Sequence, residues 1–554
     1  MSSSLTLHGI GVSVGSAYGT AVPVRPAPGI DESEPGSRDP QADGQRIRDA
    51  LRKVSDELMS RAENASGEAK DVLLITAQLA TDKGLVKSVD KLLAQGRGVT
   101  ATVHEAIESY VDKLALLGGY MAQRATDLKD VRDRIIAVLR DLPAPGVPTM
   151  TEPGIIVAND LAPAETAVLK PELVQGIVIS GGGPTSHTAI IAASLGIPAV
   201  VQAAGIEDLK SGELIALDGG TGEVILRPSE AQQAEFADRQ ERRLAAAAAY
   251  SGPGATSDGH PVALLANIGN PDQALLAAGH DVEGVGLFRT EFMFLDRQDP
   301  PSREEQAKAY TSVLEAFEGR RVVIRTLDAG ADKPLAFADL GEEDNPALGR
   351  RGIRLTRVRE ELLDTQLDAL ADAYQATNAD VRIMAPMVAT PEEAEWFAAK
   401  VRERGLPSVG IMIETPASAL CASDVLAGLD FASIGTNDLT QYTMAADRMQ
   451  GELGDLLSAW QPAVLRMIQL ACEGADDAGA TIGVCGEAAG DPLLALVLVG
   501  LGVSSLSMAL TRVPEVRAAL AQHTLAGCQA IAAAALATTS ATAARQVVSE
   551  HASI

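Results

Sequence analysis

Aromatic side chains are scarce in this chain, 3% of its residues with 2 tryptophans. Proteins that stack bases or sugars need such platforms, so that mode of recognition is not expected. Basic residues are outnumbered, 46 Lys and Arg against 74 Asp and Glu, leaving a formal net charge of -28. That sign repels polyphosphate backbones and speaks against nucleic-acid binding. A small anionic ligand would need a local arginine cluster. The 4 cysteines, Cys421, Cys472, Cys485 and Cys528, show no metal-ligand spacing, which points to a reduced, cytoplasmic setting. The longest apolar run, "PLLALVLVGLGV", is too short to span a bilayer. The opening "MSSSLTLHGIGVSVG" has neither a basic n-region nor a sustained apolar stretch, so neither a signal peptide nor direct membrane insertion is expected.

What is present divides into zones. With 554 residues the chain exceeds one ordinary core, and two or three domains are expected. Residues 5–24 alternate like strands with glycine turns, and a loop rich in Pro, Asp, Glu and Gly runs to about 42. From there to about 142 apolar residues recur at helical spacing, as in "IRDALRKVSDELMSRA". Strand-like segments resume at "GIIVAND", "QGIVISGG", "IPAVVQA" and "ELIALDGGTGEVIL". The helical block, 25–142, therefore reads as an insertion in a smaller α/β unit made of 1–24 and 143–228. "SEAQQAEFADRQERRLAAAAAY" reads as a long helix closed by "SGPG", a linker and hinge over 229–257 joining two bodies that move relative to each other. Across 258–554, eight strand candidates alternate with helical stretches: "VALLANIG", "GVGLFRTEF", "VVIRTLD", "VRIMAPMV", "SVGIMIETP", "FASIGTND", "TIGVCGE" and "SLSMA". Eight such units predict a (β/α)₈ barrel, with a doubly wound open sheet as the less economical alternative.

Reactive side chains lie near the C-terminal ends of these strands, the catalytic face of such barrels. Arg289 and Arg325 end two of them, and "LGRRGIR" adds Arg350, Arg351 and Arg354. Each alone reads as the partner of a neighbouring acid such as Glu291 or Asp328. Several converging on one face favour a ligand carrying phosphate and carboxylate, which guanidinium forks match bidentately. Glu414 ends one strand, and Asn437 and Asp438 end the next. Two carboxylates on adjacent strands, with room for substrate oxygens and water, suit Mg²⁺, whereas "TND" alone would read as a helix cap. Cys485 is either a small core residue or a proton donor at the barrel mouth. His187 follows "GGGPTS", whose glycines permit close backbone approach and whose Thr185 and Ser186 could cap a helix beginning near Thr188. It is either a buried histidine or a phosphoryl acceptor beside an anion site.

Seven stretches, "GGGPTSHTAI", "GVGLFRTEF", "IRTLDAGADKP", "DNPALGRRGIR", "IMIETPAS", "SIGTNDLTQYTMAADR" and "GVCGEAAGDP", resemble the motifs of Enzyme I, the phosphoenolpyruvate-protein phosphotransferase family of the bacterial sugar phosphotransferase system. The resemblance runs essentially from end to end and includes "YMAQRATDLKDV" in the helical block. It implies transfer of a phosphoryl group from phosphoenolpyruvate to a histidine and on to the histidine phosphocarrier protein HPr, with release of pyruvate. The phosphorylated histidine falls on His187, with Thr166 supporting it. The substrate binders fall on Arg289, Arg325, Asn437 and Arg448, with Arg351 nearby, and the Mg²⁺ ligands on Glu414 and Asp438. The acid that protonates the pyruvate enolate falls on Cys485. The resemblance further implies a swivelling phosphohistidine domain, a carrier-docking helical insertion, and a barrel that forms a homodimer. Pro184 and Ala193 stand where arginine is frequent in the family, and Ala331 replaces a usual glycine before Lys333. With about 100 helical residues and no glycine-rich phosphate loop, the ATP-binding domain of the related dikinases and synthases is not expected.

Overall fold

The computed structural model of the chain describes residues 4–552, apart from 14, 32, 64–73, 75, 118, 149, 162–164, 166–168, 171, 184–186, 208, 295–296, 298, 331–334, 339–340, 342 and 449. Thr166, Pro184, Thr185, Ser186, Ala331 and Lys333 thus lie outside the described residues, and for His187 and Ala193 only the backbone is described. Two units divide the chain, Met1–Gln240 and Glu241–Ile554, and the division falls within the helix Glu230–Ala249.

The first unit is built on one eight-stranded sheet. Its strands are β1 (Leu5–His8), β2 (Ile10–Ser13), β3 (Ser16–Pro23), β4 (Gly154–Ala158), β5 (Val174–Ile179), β6 (Ala199–Val201), β7 (Leu214–Asp218) and β8 (Glu223–Leu226). Their order is β1-β8-β7-β3-β4-β5-β6-β2, with β3 to β6 parallel and the flanking pairs antiparallel. β4 shows why the run "GIIVA" has no polar alternation. Its side chains point alternately to two faces, and both are covered: Ile155 and Val157 enter one apolar cluster, Ile156 and Ala158 another.

Between β3 and β4 run the helices Pro40–Glu63, Lys83–Ala94, Val99–Leu117 and Gly119–Leu139. On the first, Ile47, Leu51, Val54 and Leu58 recur at spacings of three and four and bury against residues such as Ile107, Val131 and Ile135 in a core of their own. That helix starts two residues before the end of the predicted loop. The Asp39 carboxylate accepts from the backbone N–H of Gln41 at 3.2 Å and of Ala42 at 3.0 Å, and Pro40 fits the first helical position, where no N–H is needed.

All eight strand candidates of the second unit become strands: β9 (Ala263–Ile268), β10 (Gly284–Arg289), β11 (Arg321–Arg325), β12 (Asp380–Val388), β13 (Val409–Ile413), β14 (Phe431–Ile434), β15 (Thr481–Val484) and β16 (Ser505–Met508). They close a parallel barrel in which β16 pairs back onto β9, and helices cover its outside. The period of two sorts the side chains. Phe288, Ile324, Ile383, Ile411, Ile434 and Val484 face outward into the helix layer. Their neighbours Leu287, Val323, Met384, Met412 and Phe431 form an apolar layer across the lumen together with Cys485. No described helix is long and apolar enough to cross a membrane.

Candidate active site

The same period fixes which residues crown the lumen. Two positions beyond Leu287, Val323 and Met412 come Arg289, Arg325 and Glu414, on the lumen face at the C-terminal strand ends. Cys485 follows β15 and is 2% exposed. Asn437 and Asp438 lie in the first turn of the helix Thr436–Met444, which follows β14. Asn437 is exposed, whereas Asp438 is buried. The barrel therefore brings Arg289, Arg325, Arg351, Arg448, Glu414, Asp438 and Cys485 to one end.

Within that end the ionised groups form a connected network. The Arg325 guanidinium donates to Glu291 Oε1 at 2.7 Å and lies 2.9 Å from Asp328 Oδ2. Arg351 holds two carboxylates at once. It donates to both Asp328 oxygens at 3.0 Å, and to Asp438 Oδ1 at 2.6 Å and Oδ2 at 3.0 Å. Arg448 Nη1 reaches Asp438 Oδ1 at 3.5 Å. Burial alone would lower the pKa of Arg325 and Arg351, but the facing acids override it and raise both, so both stay charged. The reading of an arginine as partner to a neighbouring acid thus holds for Arg325 in this state. Arg289 differs: it is half-buried, and its guanidinium makes no hydrogen bond or ion pair to a described residue.

Glu414 is 1% exposed, and its Oε2 accepts the Met387 N–H at 2.8 Å. Met387 reaches that position with φ at 61°, a left-handed conformation that costs a non-glycine residue about 1–3 kcal/mol and commonly marks a functional site. Gly435 passes so close that a Cβ there would come within 2.6 Å of Glu414 Oε1. Burial, with Asp438 and Asp328 adding to it, pushes the Glu414 carboxyl up to about 8. The folded protein therefore holds a proton that the unfolded chain releases near the ordinary glutamate value of 4.5, and stability falls as pH rises between these values. Glu414→Gln is expected to raise the melting temperature of the metal- and substrate-free protein near pH 8 and to give no gain near pH 5. Thermal unfolding in chelator at the two pH values checks this; equal melting temperatures for parent and variant near pH 8 would contradict it.

Among the described residues no three or more His, Cys, Asp or Glu side chains converge as ready metal ligands. The two oxygen-only ligands Glu414 and Asp438 nevertheless fit a small hard cation, since Mg²⁺ keeps several waters and takes one or two carboxylates plus substrate oxygens. In this state Arg351 supplies the positive charge at Asp438.

Cys485 Sγ contacts the Ile434 carbonyl at 3.7 Å, and burial pushes the thiol up to about 11. Glu414 raises it further, while Ser433, Arg325 and Arg289 pull the other way. At neutral pH it keeps its proton, as a general acid must. In the first unit, the nine-residue helix His187–Leu195 begins at His187 itself, one residue before the predicted start. It buries Ala189 and Ala192. Asp328, Met387 and Ser433 escaped assignment from sequence. From sequence Asp328 reads only as one possible arginine partner, and nothing in "APMV" marks Met387. Strand alternation from Phe431 does place Ser433 on the lumen face.

Fold and site together define a class: a (β/α)₈-barrel enzyme whose catalytic face gathers arginines, paired carboxylates and a protonated thiol around the place of a small anionic substrate. Comparison with known proteins makes the class specific. The chain matches the PEP-utilising enzyme, PEP-binding domain family over residues 245–525, the PEP-utilising enzyme, mobile domain family over 150–222, and the PEP-utilising enzyme, N-terminal family over 8–124. It is 49% identical over 548 residues to the phosphoenolpyruvate-protein phosphotransferase of Streptomyces coelicolor, covering 98% of each chain. The protein of the same name from Haloferax volcanii is 40% identical over 541 residues, 93% of this chain and 94% of that one. That from Bacillus subtilis is 36% identical over 534 residues, 92% and 93%. The chain belongs to the PEP-utilising enzymes and, within them, to the phosphoenolpyruvate-protein phosphotransferase family.

Proposed function

We propose that the protein takes the phosphoryl group of phosphoenolpyruvate onto His187, releases pyruvate, and hands the phosphoryl group to HPr as the first step of the sugar phosphotransferase system. The observation that carries the reading is the convergence of Arg289, Arg325, Arg351 and Arg448 with Glu414, Asp438 and Cys485 at one end of the barrel lumen. Phosphoryl transfer needs charge neutralisation and in-line positioning more than covalent chemistry from the protein, and this end is built of charges.

The residues divide the work. Arg289 and the Asn437 amide meet the arriving phosphate and carboxylate. A phosphate of about −2 charge then offers Arg351 and Arg448 an anion that competes with Asp438. Asp438, once the guanidinium leaves it, and Glu414 would be the residues to hold Mg²⁺, which would supply charge neutralisation when bound. Arg325, fixed by Glu291 and Asp328, keeps its orientation throughout. When the phosphoryl group departs to the His187 ring nitrogen, Cys485 gives its proton to C3 of the enolate and pyruvate results. A histidine on a different unit from the barrel must be presented to the phosphate and to the carrier in turn, a duty the resemblance assigns to a swivelling domain with Thr166 supporting the ring. The helices of 25–142 dock HPr, the barrel pairs two copies, and the protein works in the cytoplasm.

The test is labelling. Incubated with Mg²⁺ and ³²P-labelled phosphoenolpyruvate, the protein will acquire acid-labile label that chases onto added HPr. No label on a folded protein that still binds phosphoenolpyruvate would replace the enzyme with a sensor.

A further inference from the structure

Below its apolar lumen layer the barrel is not filled. A cavity of about 20 Å³, room for about one or two water molecules, lies towards the N-terminal strand ends. Its polar lining is Arg321, Arg382, Ser433, Thr481, Ser505 and Ser507. Arg321, Thr481 and Ser505 are the first residues of β11, β15 and β16, and none is buried, so the cavity begins at the solvent end of the barrel. It ends at Ser433 and Gly483, which are paired across β14 and β15. Gly483 is one lumen layer below Cys485. Gly286 and Gly483 put no side chain into this space, which is why it persists; a Cβ on Gly483 would meet Ser505 Oγ at 2.2 Å.

Ser433 joins this water-sized space to the thiol. It is 6% exposed, lines the cavity, and stands opposite Gly483, two residues before Cys485, where its hydroxyl favours the thiolate. Once Cys485 has protonated an enolate it is a thiolate that must regain a proton before another turnover. From the catalytic face its neighbours are Arg289, Arg325 and Glu414, and that face is occupied by product. From below its neighbour is a hydroxyl in contact with a polar cavity. The space is large enough to admit water, and its hydroxyl groups can hold it.

We infer that Ser433 is the proton relay of Cys485, fed by water in the N-terminal cavity of the barrel. The inference rests on the reading of Cys485 as the enolate's acid. In the first step the enolate C3 takes the thiol proton, and the S–H electron pair stays on sulfur. In the second the Ser433 O–H proton passes to sulfur while a cavity water gives a proton to the Ser433 oxygen. The hydroxide left behind is neutralised by a proton from bulk solvent at the mouth, so one turnover takes up one solvent proton.

The experiment follows deuterium entering the methyl group of pyruvate in D₂O with Mg²⁺, read by proton NMR, for the parent, Ser433→Ala, Ser433→Thr and Cys485→Ala. Ser433→Ala is expected to slow exchange by about tenfold or more, the low end of general acid–base effects, with pyruvate affinity unchanged. In the forward direction its first equivalent of pyruvate should appear at the parent rate, because the thiol starts protonated, and later turnovers should lag. Ser433→Thr, which keeps the hydroxyl, should recover most of the rate. Exchange at the parent rate in Ser433→Ala, a first turnover slowed as much as the rest, or no recovery with threonine would each overturn the relay. Absence of exchange in the parent, or full exchange in Cys485→Ala, would remove Cys485 as the acid and the relay with it.

Discussion

His187→Ala, incubated with Mg²⁺ and ³²P-labelled phosphoenolpyruvate, is expected to carry no acid-labile phosphate and to pass none to HPr, while still exchanging the methyl protons of pyruvate with solvent. The expectation follows from where the groups are. His187 opens a helix in the unit Met1–Gln240, whereas the arginines, the paired carboxylates and Cys485 all belong to Glu241–Ile554. Removing the acceptor deletes one half of the reaction and leaves the enolising half intact. The effect on label is all-or-none, because alanine offers no nucleophile in place of the imidazole. Label persisting in the variant would name another nucleophile. Loss of pyruvate exchange together with the label would show that the imidazole also serves the barrel chemistry.

Arg351→Ala carries the second large effect, on stability and on substrate binding together. Arg351 closes four hydrogen bonds to Asp328 and Asp438, at 3.0, 3.0, 2.6 and 3.0 Å, in a site where the Asp328 side chain is 0% exposed. Alanine would leave these acids, with Glu414 near them, short of a compensating charge. Breaking a buried pair from one side costs about 3–5 kcal/mol. Phosphoenolpyruvate should bind more weakly by about 2–5 kcal/mol, roughly 30- to 5000-fold, as when one partner of a buried charge pair is truncated. Chemical unfolding of the free protein and calorimetric binding measure the two losses separately. Arg351→Lys keeps the charge without the planar fork, and should fall between parent and alanine in both. Adding Asp328→Asn to Arg351→Ala should return part of the stability and none of the affinity. If affinity returns as well, Arg351 acts only by holding the fold.

Much of this site could be read before any coordinates. The alternation of the eight barrel strands puts Arg289, Arg325 and Glu414 on one face, because each lies an even number of residues from a lumen-facing apolar side chain. What could not be read is which charges touch. Asp328 sits three residues after Arg325, yet it also binds Arg351, which is 23 positions further on. That contact depends on where the tertiary fold sets Arg351 against Asp328, and no local period encodes it. Met387 is a similar case. Its N–H is available to Glu414 only because its φ is 61°, and methionine gives no sign of that conformation. Ser433 is legible as a lumen residue, but its place one layer below Cys485 is not, since the register of β14 against β15 sets it opposite Gly483.

The sequence by itself determined the barrel, the α/β unit and the family, because strand and helix periods and long motifs are local properties of the chain. The tertiary structure alone decided that Asp438 is held by Arg351 and Arg448, that Glu414 is pushed up to about 8, and that a polar cavity reaches Ser433 and Gly483. The reason is physical. Charge pairing, burial and empty space depend on distances between residues far apart in the chain, and those distances exist only once the barrel has closed.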